Sequence, residues 1–104
     1  MWHAVAKVSE VAEGSCRTVE AAGLKVALFN VVGKFYALQD ACFHRGGPLG
    51  DGYLEGVNIT CPWHAWEFDV TTGSCLTMEG AKQTTYPTKV ENGEIYVDIA
   101  GTHN

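Results

Sequence analysis

The sequence predicts an all-β domain of sandwich or barrel type. Two hairpin patterns with glycine turns predict it, together with a turn signal about every ten residues and only one stretch suited to helix. Trp2 to Val8 is the first short β-rich run. Ser9-Glu10-Val11-Ala12-Glu13 follows, where Ser9 is placed to cap a single helical turn that Gly14 ends. Val26 to Val32, then Gly33-Lys34, then Phe35 to Leu38 read as two strands around a tight turn. The stretch from Gly46 to Gly52 is too rich in Gly and Pro for a strand interior and reads as loop. Asn58 to Thr60 and Trp66 to Val70 are further short runs, set off by Asp51-Gly52, Glu55-Gly56 and Thr72-Gly73. A second hairpin closes the pattern: Thr85 to Val90, the turn Asn92-Gly93, and Ile95 to Ile99. In its last run Ile95, Val97 and Ile99 alternate with Tyr96 and Asp98, the period of a half-buried strand.

At 104 residues and 46% hydrophobic, the chain has material for one modest core and no second catalytic domain. No apolar run approaches the roughly 20 residues of a membrane-spanning helix. Met1-Trp2-His3-Ala4 lacks the basic then apolar character of a secretory signal, so a cytoplasmic location is expected.

The net charge of -5 is unevenly placed. Asp40, Asp51, Glu55, Glu67, Asp69 and Glu79 stand against Arg45 alone, whereas the charges outside this segment cancel. Nucleic acid and anionic lipid both demand clustered Lys and Arg, so neither is an expected partner. An acidic segment suits a protein partner with a basic face, or simply a solvated surface.

The chemistry lies within that segment. Cys42-x-His44 is followed after sixteen residues by Cys61-x-x-His64, two mixed pairs flanked by glycine turns. Core cysteines and surface histidines are the ordinary fate of such residues taken singly. A structural zinc site also accepts two thiolates and two imidazoles, but zinc motifs group Cys with Cys and His with His. The mixing suits a two-iron cluster in which one iron takes both thiolates and the other both imidazoles. Cys42 and Cys61 would then hold the inner iron, and His44 and His64 the outer.

The motifs Cys42-Phe43-His44-Arg45-Gly46 and Cys61-Pro62-Trp63-His64-Ala65-Trp66 resemble the paired signature of the Rieske family. Phe68 to Gly73 and Thr85 to Val97 resemble the strands that follow in its soluble ferredoxins, so the likeness spans nearly the whole chain. It implies three small antiparallel sheets in a single domain, 1–104. A cluster-binding subdomain, 40–79, would be inserted into a base subdomain made of 1–39 and 80–104. It implies one [2Fe-2S] cluster per chain, ligated by Cys42, His44, Cys61 and His64. Glycines 46 and 47 are expected to let the backbone approach the cluster, and Pro62 to hold Cys61 extended. Trp63, Trp66 and Phe68 are expected to exclude water or to pack as ordinary core. The high-potential branch of the family carries an extra cysteine in each box and Ser and Tyr hydroxyl donors. Gly47, Trp63, Trp66 and Phe68 occupy those places here, so a low potential is implied. Many relatives have a proline in the covering loop; Leu76 to Ala81 has none, and a more flexible loop is expected. Cys16 and Cys75 are assigned to structure, and His3 and His103 are outside the pattern.

The chain has no nucleotide fingerprint and no second metal set, so nothing in it transforms a substrate. The resemblance implies a one-electron carrier, not an enzyme. It would shuttle electrons from a flavin-dependent ferredoxin reductase to the terminal oxygenase of an aromatic-ring dioxygenase system. Two other readings stand beside it: the small subunit of an assimilatory nitrite reductase, and a zinc-binding interaction module.

Overall fold

The computed structural model describes residues 1–42, 46–63 and 65–99. Its ten strands are β1 (Trp2–Lys7), β2 (Cys16–Ala21), β3 (Leu24–Val31), β4 (Lys34–Gln39), β5 (Tyr53–Glu55), β6 (Asn58–Thr60), β7 (Glu67–Asp69), β8 (Thr85–Tyr86), β9 (Thr88–Glu91) and β10 (Glu94–Asp98). They form three separate antiparallel sheets, ordered β1-β10-β9, β2-β3-β4-β8 and β5-β6-β7. The all-β expectation holds, and the three small sheets are those the resemblance implied rather than a continuous sandwich or barrel.

β3 is the hinge of the packing. Its run Val26-Ala27-Leu28-Phe29 is apolar without interruption because both faces are buried. Val26 and Leu28 pack with Val11, Val19, Phe35, Tyr86, Ile95 and Val97, the core between the first two sheets. Ala27 and Phe29 point the other way, into a core with Leu38, Leu49, Ile59, Phe68 and Val70. Cys42 and Cys61 belong to this second core. The two cysteines are therefore anchored on the back of the strand that the two cores share.

Turn chemistry sets the registers. Ala22-Gly23, Val32-Gly33 and Asn92-Gly93 each have φ near +50° then +80°, the two-residue turn whose twist matches paired strands. Val31 pairs with Lys34, so the first predicted hairpin turns at Val32-Gly33, one residue before the expected Gly33-Lys34. A β-branched residue at positive φ is disfavoured, which is why the pattern pointed past Val32. β2 and β5 were not anticipated. β2 ends at an Ala-Gly turn with no Asn or Asp to announce it, and β5 is only three residues long.

The single helical turn is a 3-10 turn at Val8–Glu10, so Ser9 lies inside it and does not cap it. The Lys7 N–H donates instead to the Glu10 carboxylate at 2.8 Å. The glycine-rich loop also contains a 3-10 turn, Leu49–Asp51, stabilised by burial of Leu49.

Candidate metal centre

β4 ends at Gln39 and β6 at Thr60, and the segment leaving each carries one buried cysteine. Cys42 and Cys61 are both 1% exposed. The two exits share one hydrogen-bond frame. The Cys42 N–H donates to the Gly47 carbonyl at 2.9 Å, and the Cys42 carbonyl accepts from the Gly46 N–H at 2.6 Å. In the second loop the Cys61 N–H donates to the Trp66 carbonyl at 2.8 Å, and the Cys61 carbonyl accepts from the Ala65 N–H at 3.1 Å. Offsets of four and five residues recur, and Gly46 and Ala65 occupy the same left-handed place, at φ +79° and +61°. The unequal spacing of the two motifs and the Gly-for-Ala exchange hid this equivalence in the sequence.

The first loop is closed at its base by Asp40. Its carbonyl accepts from the Leu49 N–H at 2.8 Å. Its Oδ1 accepts from the Gly50 N–H and the Thr18 hydroxyl, each at 2.9 Å, which ties the loop to β2. At 4% exposure Asp40 is an internal anchor, not part of the acidic surface in which its charge had placed it. Asp51, Glu55, Glu67 and Glu79 are exposed and do form that surface, with Asp69 half-buried.

The aromatic residues divide. Phe68 is fully buried beside both cysteines and Trp66 packs half-buried against the same core. Trp63 is 61% exposed and covers Gly47 at the loop surface rather than lining the interior. The covering segment is pinned: the Met78 N–H donates to Cys75 Sγ at 3.4 Å, and the Glu67 N–H to the Thr77 hydroxyl at 2.9 Å. Cys75 is buried in the same core as Cys42 and Cys61, and no cysteine is in a disulfide. Cys16 is half-buried on β2; burial, reinforced by Asp51 and Asp40, pushes its thiol above the ordinary value.

His44 and His64 lie outside the described residues, as does His103. His3 lies on β1. Among the described residues no group of three His, Cys, Asp or Glu side chains assembles, so the described part contributes two thiols. Those two fit a cluster: they project from matching loops, sit in an apolar core, and flank Gly47, whose carbonyl holds Cys42 and whose lack of a side chain leaves room for the Cys61 sulfur. Sulfur donors of this kind, screened from water, are what an iron–sulfur centre takes from a protein. Gln83, 1% exposed and donating from its side-chain NH2 to the Gln39 and Ala41 carbonyls at the root of the first loop, was missed in the sequence. A lone polar residue before a short strand carries no signal until the fold buries it.

Residues 1–92 match the Rieske [2Fe-2S] domain family. The chain is 37% identical over 100 residues to the ferredoxin component of the naphthalene 1,2-dioxygenase system of Pseudomonas putida, covering 95% of this chain and 96% of that protein. It is 39% identical over 94 residues to the 3-phenylpropionate/cinnamic acid dioxygenase ferredoxin subunit of Escherichia coli (strain K12), covering 88% of each. A chain in the complex of reduced oxygenase and oxidised ferredoxin in carbazole 1,9a-dioxygenase superposes with a TM-score of 0.84 at 32% identity, covering 92% of this chain and 91% of that one. The zinc reading gives way, because the matched family is an iron–sulfur one. The chain belongs to the Rieske [2Fe-2S] family, and a [2Fe-2S] cluster is its cofactor.

Proposed function

We propose that this protein is the one-electron carrier of an aromatic-ring dioxygenase system, taking electrons from a flavin-dependent ferredoxin reductase and passing them to a terminal oxygenase. The observation that carries the reading is the pair of buried cysteines on two matching loops that emerge at the surface beside Trp63. Cys42, His44, Cys61 and His64 are the proposed ligands, the thiols holding the inner iron and the imidazoles the outer. When bound, the cluster takes up and releases one electron at a time. The chain's own part is to hold the two thiols apart at a fixed distance, to keep water from them with Phe68 and Trp66, and to offer a docking surface. The segment 40–79 is proposed as the cluster-binding subdomain, carried by a base of 1–39 and 80–104. The sheet β5-β6-β7 lies wholly within that segment, which supports the division.

Exposed Asp51, Glu55, Glu67 and Glu79 support docking to basic faces on both partners. Among the described residues no helix is long and apolar enough to cross a membrane. Cys16 and Cys75, both free thiols, suit a reducing cytoplasmic setting. The resemblance of the relatives to this chain over almost their full length supports the dioxygenase role, since two are named as ferredoxins of such systems.

Replacing His44 or His64 with Ala tests the ligand set. The visible spectrum, midpoint and reduced EPR signal are expected to change together. An unaltered pigment and midpoint in either variant overturns the assignment. Co-purification with a large sirohaem subunit, in place of reductase-dependent electron delivery to an oxygenase, would favour a nitrite reductase subunit instead.

A further inference from the structure

The geometry points to Gln83 as a positioning residue for the inner-iron ligand Cys42, an inference that rests on the ligand set proposed above. Gln83 is 1% exposed and stands where the β4-β8 ladder runs out. Beyond the last main-chain bond, from the Gln39 N–H to the Thr84 carbonyl at 2.9 Å, the Gln83 side chain takes over. Its Nε2 donates to the Gln39 carbonyl at 2.8 Å and to the Ala41 carbonyl at 2.7 Å. Both partners are carbonyls, so the amide orientation is set by chemistry: only the NH2 end can serve.

The second of these bonds matters for the cysteine. The peptide joining Ala41 to Cys42 is a rigid plane. Gln83 holds its carbonyl end, and the Gly47 carbonyl holds its N–H end at 2.9 Å. A plane held at both edges has little freedom to rock, and the Cα–Cβ direction of Cys42 follows it. Gln83 is itself fixed to the other half of the site. Its N–H donates at 2.7 Å to the Gly73 carbonyl, in the turn that follows β7, the strand entered from the second ligand loop. One buried residue thus ties the entry of the first ligand loop, through its side chain, to the turn beyond β7, through its main-chain N–H. Two thiolates meant for one iron need such a common reference, because each is delivered by a separate loop.

A purely structural glutamine would satisfy two buried carbonyls and do nothing more. The two roles separate experimentally. Gln83→Met keeps the length and removes both donors. In the full-length protein with its cluster, we expect the reduced EPR g-values and the midpoint to shift. Hydrogen exchange at the Cys42 amide, read by mass spectrometry, is expected to accelerate about tenfold as the plane loosens. A fall in thermal midpoint with g-values, potential and Cys42 exchange all as in the unsubstituted protein overturns the inference and leaves a stability role only. Gln83→Asn, too short to reach both carbonyls, is read in the same way if Gln83→Met does not fold. If neither folds, the unsubstituted protein decides. Slow exchange of the two Gln83 side-chain amide protons, read by NMR, supports the clamp, and exchange at the rate of a solvated amide overturns it. The exchange readout stands apart from the cluster assignment, which fails separately if the unsubstituted protein lacks a mixed nitrogen and sulfur EPR signature.

Discussion

Gly47 has no room for a side chain because of Cys61: a methyl group built on its α-carbon would stand 2.7 Å from Cys61 Sγ and 3.1 Å from the Trp63 ring. The loop after Cys42 is thus shaped around the sulfur of Cys61. Gly47→Ala is expected to displace that sulfur, lower stability by about 1–3 kcal/mol through overpacking, and reduce iron content. Iron and sulfide analysis with thermal unfolding checks this; full occupancy at unchanged stability would contradict it.

The matching loop frames predict opposite outcomes at equivalent positions. Ala65 carries a side chain at φ +61° where Gly46, at φ +79°, does not. Among the described residues nothing lies within 4 Å of a methyl group built at 46, so the difference is conformational. Ala65→Gly is expected to be neutral to stabilising, and Gly46→Ala to cost about 1 kcal/mol. Denaturant unfolding of both variants is the measurement.

Val32 is a β-branched residue at φ +51°, 83% exposed at a hairpin tip. Its side chain buries nothing to offset the strain. Val32→Asn is expected to raise stability by about 1 kcal/mol with midpoint and iron content unchanged. A lower melting temperature would show that the turn is held by something other than its own backbone preference.

The Cys16 thiol is raised by burial first, then by Asp51 and Asp40, so the folded protein keeps this proton to higher pH than the unfolded chain does. The sign follows from linkage. The contribution is fully present below the unfolded thiol value of roughly 8.5 and is lost as pH rises toward the folded value. Stability is expected to fall with pH across that alkaline window, and Cys16→Ala to flatten the slope whatever its effect on the level. Urea unfolding from neutral to alkaline pH checks it. Alkylation of Cys16 at pH 8 is expected to be slow for the same reason.

By the resemblance, Gly47, Trp63, Trp66 and Phe68 stand where the high-potential branch supplies a disulfide and hydroxyl donors, and Phe68 and Trp66 belong to the apolar core that holds both thiols. An apolar lining disfavours the added negative charge of reduction. The midpoint is expected toward the low end of the Rieske span of roughly -150 to +300 mV, and a titration well above about +100 mV would refute this.

Association with the reductase and oxygenase is expected to weaken with ionic strength, as contact through Asp51, Glu55, Glu67 and Glu79 requires. Indifference to salt would remove the electrostatic part of the proposal.

The sequence by itself determined the chemistry and the class of fold. Two Cys/His boxes are local and specific, and strand alternation with Asn92-Gly93 is a signal carried by neighbours in the chain. It was silent wherever a residue's role depends on what lies far along the chain. Asp40 reads as surface charge until Thr18 and Gly50 are brought against it, and Gln83 as a filler until burial leaves the carbonyls of Gln39 and Ala41 for it to satisfy. The turn at Val32-Gly33 and the shared frame of the two cysteine loops belong to the same group. Tertiary structure decided these because a buried polar group must find its partner wherever packing puts one, and local propensity carries no record of that partner.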